Sequence, residues 1–96
     1  MNDVIGAAVT ALKQRLPAGF DAGTAKFVIP GEGAIMLDAT GVRADDAAAD
    51  VTLTADADTF RGILEGEISA TGAFMTGRLS VEGDMGLAMK LGSALG

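Results

Sequence analysis

Asp56 and Asp58 stand two residues apart at the head of "DADTFRGILEGE", the spacing that opens a calcium-binding EF-hand loop. That loop also needs glycine at its sixth position, for a sharp turn, and a bidentate Glu at its twelfth. Here the sixth position is Arg61, and Glu67 at the twelfth follows an apolar run, so helix capping by Asp56 is the better reading. Asp45, Asp46 and Asp50 in "RADDAAAD" carry enough oxygen for a hard cation, yet the stretch reads as a solvated acidic loop. "GEG" at residues 31–33 lacks the remaining glycine and the following helix of a dinucleotide loop and is read as a turn. No metal and no cofactor is expected.

The inventory for catalysis is sparse. His, Cys and Tyr are absent, so acid–base work would fall to a carboxylate or a Lys, and a Ser nucleophile would need a Lys partner. Ser69, Ser80 and Ser93 lie in no nucleophile motif, and Lys13, Lys26 and Lys90 are scattered. The expectation is no catalytic residue and no enzyme.

A net charge of −6 is shared by both halves of the chain, with no basic cluster for phosphates or anionic lipids, which argues against nucleic acid and a charged membrane surface as partners. The opening "MNDVIGAAVTALKQRLP" carries Asp3 where a signal peptide would be positive, and its apolar run is too short to span a bilayer. A cytoplasmic protein without stable membrane insertion is expected.

Ninety-six residues make one domain, residues 1–96, whose core is small and must be filled by aliphatic side chains, because the aromatic residues are four Phe. Ile5, Ala8, Val9, Leu12 and Leu16 recur at helical spacing behind a cap at Asn2 or Asp3, and "LPAGF" stops them. "TAKFVI" and "AIMLDAT" flank the turn-rich "PGEG" and predict a hairpin. "VRADDAAAD" fits either a short strand and loop or a weak helical turn. "DVTLT" alternates as a half-buried strand and leads into a helix capped by Asp56, striped by Phe60, Ile63 and Leu64 and ended near Gly66. "ISATGAFMTG" predicts a short helix presenting Phe74 and Met75, "RLSVEG" a strand with Leu79 and Val81 inward, and Asp84 the cap of a terminal helix. The sum is an α+β domain of about five strands and four helices, its sheet wet on one face and covered by helices on the other.

The last segment, "DMGLAMKLGSALG", has more apolar surface than one core can use. At about 100° per residue, Leu87, Leu91 and Leu95 form one ridge and Met85 and Met89 another, giving an apolar arc of about 200°, roughly double the usual stripe. Gly86 and Gly92 each cost the helix about 1 kcal/mol relative to Ala, so it depends on its packing partners. The methionine ridge fits a movable wall of an apolar cavity, simple filling of a small core, or a homodimer surface; spacing leaves all three open.

"AFMTGRLSVEGDMGLAMKL", residues 73–91, resembles the C-terminal signature of the sterol carrier protein type 2 (SCP-2) family, and "DVTLTADADTF" with "LEGEI" resembles that family's strand, capped helix and glycine stop. The resemblance implies a five-stranded sheet with one face covered by about four helices and an apolar tunnel. It also implies non-catalytic binding or transfer of a hydrophobic lipid: a fatty acid, fatty acyl-CoA, sterol or isoprenoid. An alternative it implies is an accessory lipid-binding module for isoprenoid-quinone biosynthesis enzymes, so the partner it implies is a lipid or a lipid-metabolising enzyme, beside the second copy that the surplus apolar face allows. The ending "SALG" differs from a peroxisomal tail, and the Ala-rich, Cys-free composition is similar to that of bacterial proteins. With resemblance and periodicity combined, Phe60, Ile63, Leu64, Phe74, Met75, Met85 and Met89 are the candidate ligand-binding residues. Leu79, Val81 and the leucine ridge are assigned to core packing, and Gly77 and Gly83 to ending a helix and a strand.

Overall fold

Capping sets the helix starts. In the computed structural model, which describes residues 3–95, the Asp3 carboxylate accepts a 2.9 Å hydrogen bond from the Gly6 N–H at the head of helix α1, Val4–Arg15; Asn2 lies outside the described residues. Asp56 accepts from the Thr59 N–H at 2.7 Å and opens α2, Ala57–Leu64. Ser69 does the same for α3, Ala70–Met75, through the Gly72 N–H, and Asp84 for α4, Met85–Leu95, through the Leu87 N–H. Each cap satisfies an N–H that the helix cannot.

The strands are β1 (Ala25–Ile29), β2 (Gly33–Asp38), β3 (Gly41–Ala44), β4 (Val51–Ala55) and β5 (Leu79–Gly83). They form one mixed sheet in the order β3-β2-β1-β4-β5, with every neighbouring pair antiparallel except β1 and β4. The predicted hairpin is β1–β2, pairing Phe27 with Ile35 and Ala25 with Leu37. Of the two readings of residues 42–50, the strand and loop is the one adopted.

One sheet face carries Phe27, Ile35, Leu37, Val51, Leu53 and Leu79, all buried, and meets α1, α2 and α4 through Leu12, Phe60, Leu91 and Leu95. The Phe27 and Phe60 rings lie 4.6 Å apart and tilted by 43°, a favourable aromatic geometry. Phe60 thereby anchors α2 over β1.

The other face is drier than its alternating polar residues predict. β3 ends at Ala44, level with Ile35, and β4 begins at Val51, level with Leu37, so residues 45–50 must cross β2 and β1. Three strand spacings of about 4.8 Å are within reach of this segment at up to about 3.4 Å per residue. The crossing runs over the outer face, where Asp46 pairs with Lys26 at 2.9 Å and Asp45 with Arg43 at 3.5 Å. Met36, paired with both Lys26 and Arg43 across the sheet, is only 1% exposed. The acidic loop is thus also a strap over a buried methionine, with Asp46 and Asp45 paired to the two cations. No helix among the described residues is long and apolar enough to cross a membrane.

Candidate functional site

A cavity of about 640 Å³ opens between the β4–β5 end of the sheet and helices α2, α3 and α4. Its floor is Leu53, Leu79 and Val81; Ile63 and Ile68 close one side, Phe74 and Met75 come from α3, and Met85, Ala88 and Met89 from α4. Leu79 and Val81 share one face of β5, Leu79 buried and Val81 half-buried, and both line the cavity. The size lies within the about 300–1,000 Å³ typical of small-molecule sites.

The two ridges of α4 separate here. Leu87, Leu91 and Leu95, four residues apart, are buried in the core, whereas Met85 and Met89 on the opposite side are 47% and 73% exposed and line the cavity. α3 adds Phe74 and Met75, 44% and 78% exposed, while Ala73 on the same helix is buried. The two helices touch where a Cβ on Gly92 would lie 3.5 Å from that of Ala70. With four large apolar side chains in contact with water, the site is a cleft open to solvent along Met75 and Met89.

Of the seven residues singled out in the sequence, Ile63, Phe74, Met75, Met85 and Met89 come together at this cavity. Phe60 and Leu64 do not: they border a separate gap of about 150 Å³ between α1 and α2. The reason is helical geometry. On α2 the three side chains fan out around Phe60, with Ile63 about 60° to one side and Leu64 about 40° to the other. Phe60 points down at Phe27, so Ile63 reaches the cavity while Leu64 turns to α1. Leu79 and Val81, assigned from sequence to packing, also form the floor; the one signal for this was their place on a strand beside the methionine helix. Ile68, in the α2–α3 connection, carried no such signal.

The lining's polar side chains are the hydroxyls of Ser69, Thr71 and Ser93. The carboxylates with perturbed titration lie elsewhere. Asp38 is held below the ordinary carboxylate range by hydrogen bonds from the Thr40 hydroxyl and Arg43, and Asp56 by those from the Thr59 N–H and hydroxyl. Both belong to turns and caps. Asp45, Asp46 and Asp50 face Arg43, Lys26 and the Thr24 N–H respectively, so the loop's three carboxylates have separate partners. No group of three or more metal-ligating side chains is found among the described residues.

A mixed five-stranded sheet, helices on one face and an apolar cleft walled by methionine and phenylalanine define a small α+β protein built around a hydrophobic cavity. The chain belongs to the SCP-2 sterol transfer family, whose sequence model matches residues 8–96. Hydroxysteroid dehydrogenase-like protein 2 of Xenopus tropicalis is 46% identical over 48 residues, which is 50% of this chain but 12% of that protein. Among solved structures, sterol carrier protein 2 like 2 of Aedes aegypti superposes with a TM-score of 0.77 at 22% identity, covering 94% of each chain. Sterol carrier protein 2 of the same mosquito, in complex with the C16 fatty acid palmitate, gives a TM-score of 0.72 at 21% identity over 100% of each chain. At these identities the structures establish the fold.

Proposed function

We propose that this protein binds and carries a hydrophobic lipid in the cleft between β4–β5 and helices α2–α4, without acting on it chemically. The observation that carries this reading is the cavity of about 640 Å³ whose wall exposes Phe74, Met75, Met85 and Met89 to water. Contiguous exposed apolar surface of this kind marks a binding site. Each methylene buried there contributes about 0.8 kcal/mol, and methionine's flexible thioether lets the wall follow chains of different shape. Ile63, Phe74, Met75, Met85 and Met89 are the proposed contacts. The palmitate complex of the Aedes aegypti relative supports a fatty chain as the ligand class.

Dehydrogenase chemistry is not part of the reading, because the match to the dehydrogenase-like relative covers 12% of that protein and the cleft offers hydroxyls as its polar side chains. The test is direct. Protein purified without detergent is delipidated and titrated with Nile red, an uncharged dye that fluoresces in apolar sites, and native mass spectrometry is run before delipidation. Saturable dye binding displaced by long-chain lipids, or a co-purified lipid mass, is expected; absence of both overturns the proposal.

A further inference from the structure

Methionine is the one readily oxidised side chain in this sequence. Cys, Trp, Tyr and His are absent, and there are five methionines. A peroxide therefore has thioether sulfur as its target, at whichever methionines it can reach. The fold sorts them. Met36 is buried in the sheet, while Met75, Met85 and Met89, the other methionines among the described residues, are all exposed and all line the cleft. Met75 ends α3, and Met85 and Met89 stand about one turn apart on one side of α4. Among the described residues, every methionine open to water thus belongs to one wall.

The chemistry is an oxygen transfer. The sulfur lone pair attacks one oxygen of hydrogen peroxide, and the O–O bond breaks as the S–O bond forms. The departing oxygen takes the proton of the transferred one and leaves as water, so sulfur is oxidised to the sulfoxide and peroxide is reduced. A flexible apolar side chain becomes a polar, chiral one. A sulfoxide that stays against a lipid tail loses its water there, and the polar side chains of the lining are three hydroxyls, of which that of Ser69 already accepts from the Gly72 N–H. A sulfoxide that turns out to water takes its own apolar contacts away from the tail. Both arrangements weaken the hold on the tail.

The fold itself loses little, because the three side chains lie outside the buried core. On the lipid-binding reading above, we infer that Met75, Met85 and Met89 form an oxidation site, through which a peroxide lowers the affinity of the cleft for lipid without unfolding the protein. Reduction of the sulfoxides reverses the change. The sulfurs that react are also those the tail covers, so bound lipid shields them from the oxidant.

Delipidated protein is treated with hydrogen peroxide, the excess is removed with catalase, and Nile red titration and tryptic peptide mass spectrometry follow. Cleavage at Lys26, Arg43, Arg61, Arg78 and Lys90 puts Met36, Met75 and the Met85/Met89 pair on three different peptides. Met75, Met85 and Met89 should each gain oxygen at least about 10-fold faster than Met36. Nile red affinity should fall by about 10-fold with the far-UV spectrum unchanged, and methionine sulfoxide reductases for both epimers should restore it. Saturating palmitate during the treatment should slow oxidation of the three several-fold. The triple variant Met75→Leu/Met85→Leu/Met89→Leu, whatever its starting affinity, should bind the dye equally before and after peroxide. An affinity that survives full conversion of the three methionines to sulfoxide overturns the inference. So does a loss that persists in the triple variant, or one that comes with collapse of the far-UV spectrum. If Nile red fails to saturate before any peroxide is added and no lipid co-purifies, the lipid-binding reading falls and this inference with it; saturable binding indifferent to the sulfoxides defeats the inference alone.

Discussion

The guanidinium of Arg15, the last residue of α1, donates a 3.1 Å hydrogen bond to the backbone carbonyl of Leu95, eighty residues away at the end of α4. Its second nitrogen donates to the carbonyl of Leu64, the end of α2. One fixed charge thus meets two helix C-termini, where unpaired carbonyls and the helix dipole favour a cation. Arg15→Ala should lower unfolding stability by about 1–2 kcal/mol and speed hydrogen exchange in the last turns of α2 and α4 more than in β1. Arg15→Lys should recover only part, because an ammonium lacks the planar fork that spans two acceptors. Exchange rates unchanged at both helix ends would refute the clamp.

The two ridges of α4 should separate in their responses. Met89, 73% exposed at the cleft, can become Gln with a stability change within about 0.5 kcal/mol, yet Nile red or lipid affinity should fall several-fold. Leu91, fully buried, should cost about 2–5 kcal/mol on truncation to Ala. Urea unfolding and dye titration on the same two variants check this; a large stability loss in Met89→Gln would put that side chain in the core.

Much of this arrangement is legible in the sequence. The capping aspartates, the β1–β2 hairpin and the alternation of "DVTLT" are local signals, and local signals survive folding. The surplus apolar arc of α4 was legible too, though not what each ridge would meet. What periodicity could not supply was direction: Phe60, Ile63 and Leu64 belong to one stripe, and only the position of Phe27 beneath Phe60 decides that Ile63 turns to the cleft and Leu64 to α1. Met36 was hidden for a similar reason. Its burial depends on a crossing by residues 45–50 that follows from strand order, a property of the whole sheet.

Acid should weaken the fold through its caps. Asp56 is held below the ordinary carboxylate range first by the Thr59 N–H, and Asp38 first by the Thr40 hydroxyl. Because these groups bind protons less readily folded than unfolded, their stabilisation is complete above the ordinary carboxylate value of about 3.9 and is lost as pH falls through their lower folded values. Asp56→Asn keeps a capping oxygen but removes the titration. Its stability near pH 7 should stay close to that of the unaltered protein, while the fall in urea midpoint between pH 4 and 2 becomes shallower. An unchanged acid slope would show that Asp56 does not contribute to it.

Gly83 ends β5 at φ 103°, and a Cβ there would lie 2.4 Å from the Asp50 carbonyl oxygen and 3.1 Å from the Val51 Cα. Gly77, between α3 and β5, has φ 79° with nothing within 4 Å of an added Cβ. The comparison separates conformational cost from collision. Gly77→Ala should cost about 1–2 kcal/mol, the penalty of the left-handed region alone. Gly83→Ala should cost more, because backbone on β4 must move. The damage should also reach the cleft: Gly83 pairs with Val51, and the next residue, Asp84, donates its N–H to the Asp50 carbonyl at 3.0 Å while its carboxylate caps the helix that carries Met85 and Met89. Gly83→Ala should therefore weaken Nile red binding as well as lower the unfolding midpoint, whereas Gly77→Ala should change the midpoint with a smaller effect on the dye. Equal losses of stability in the two variants would mean that the strand end yields to the added methyl without strain.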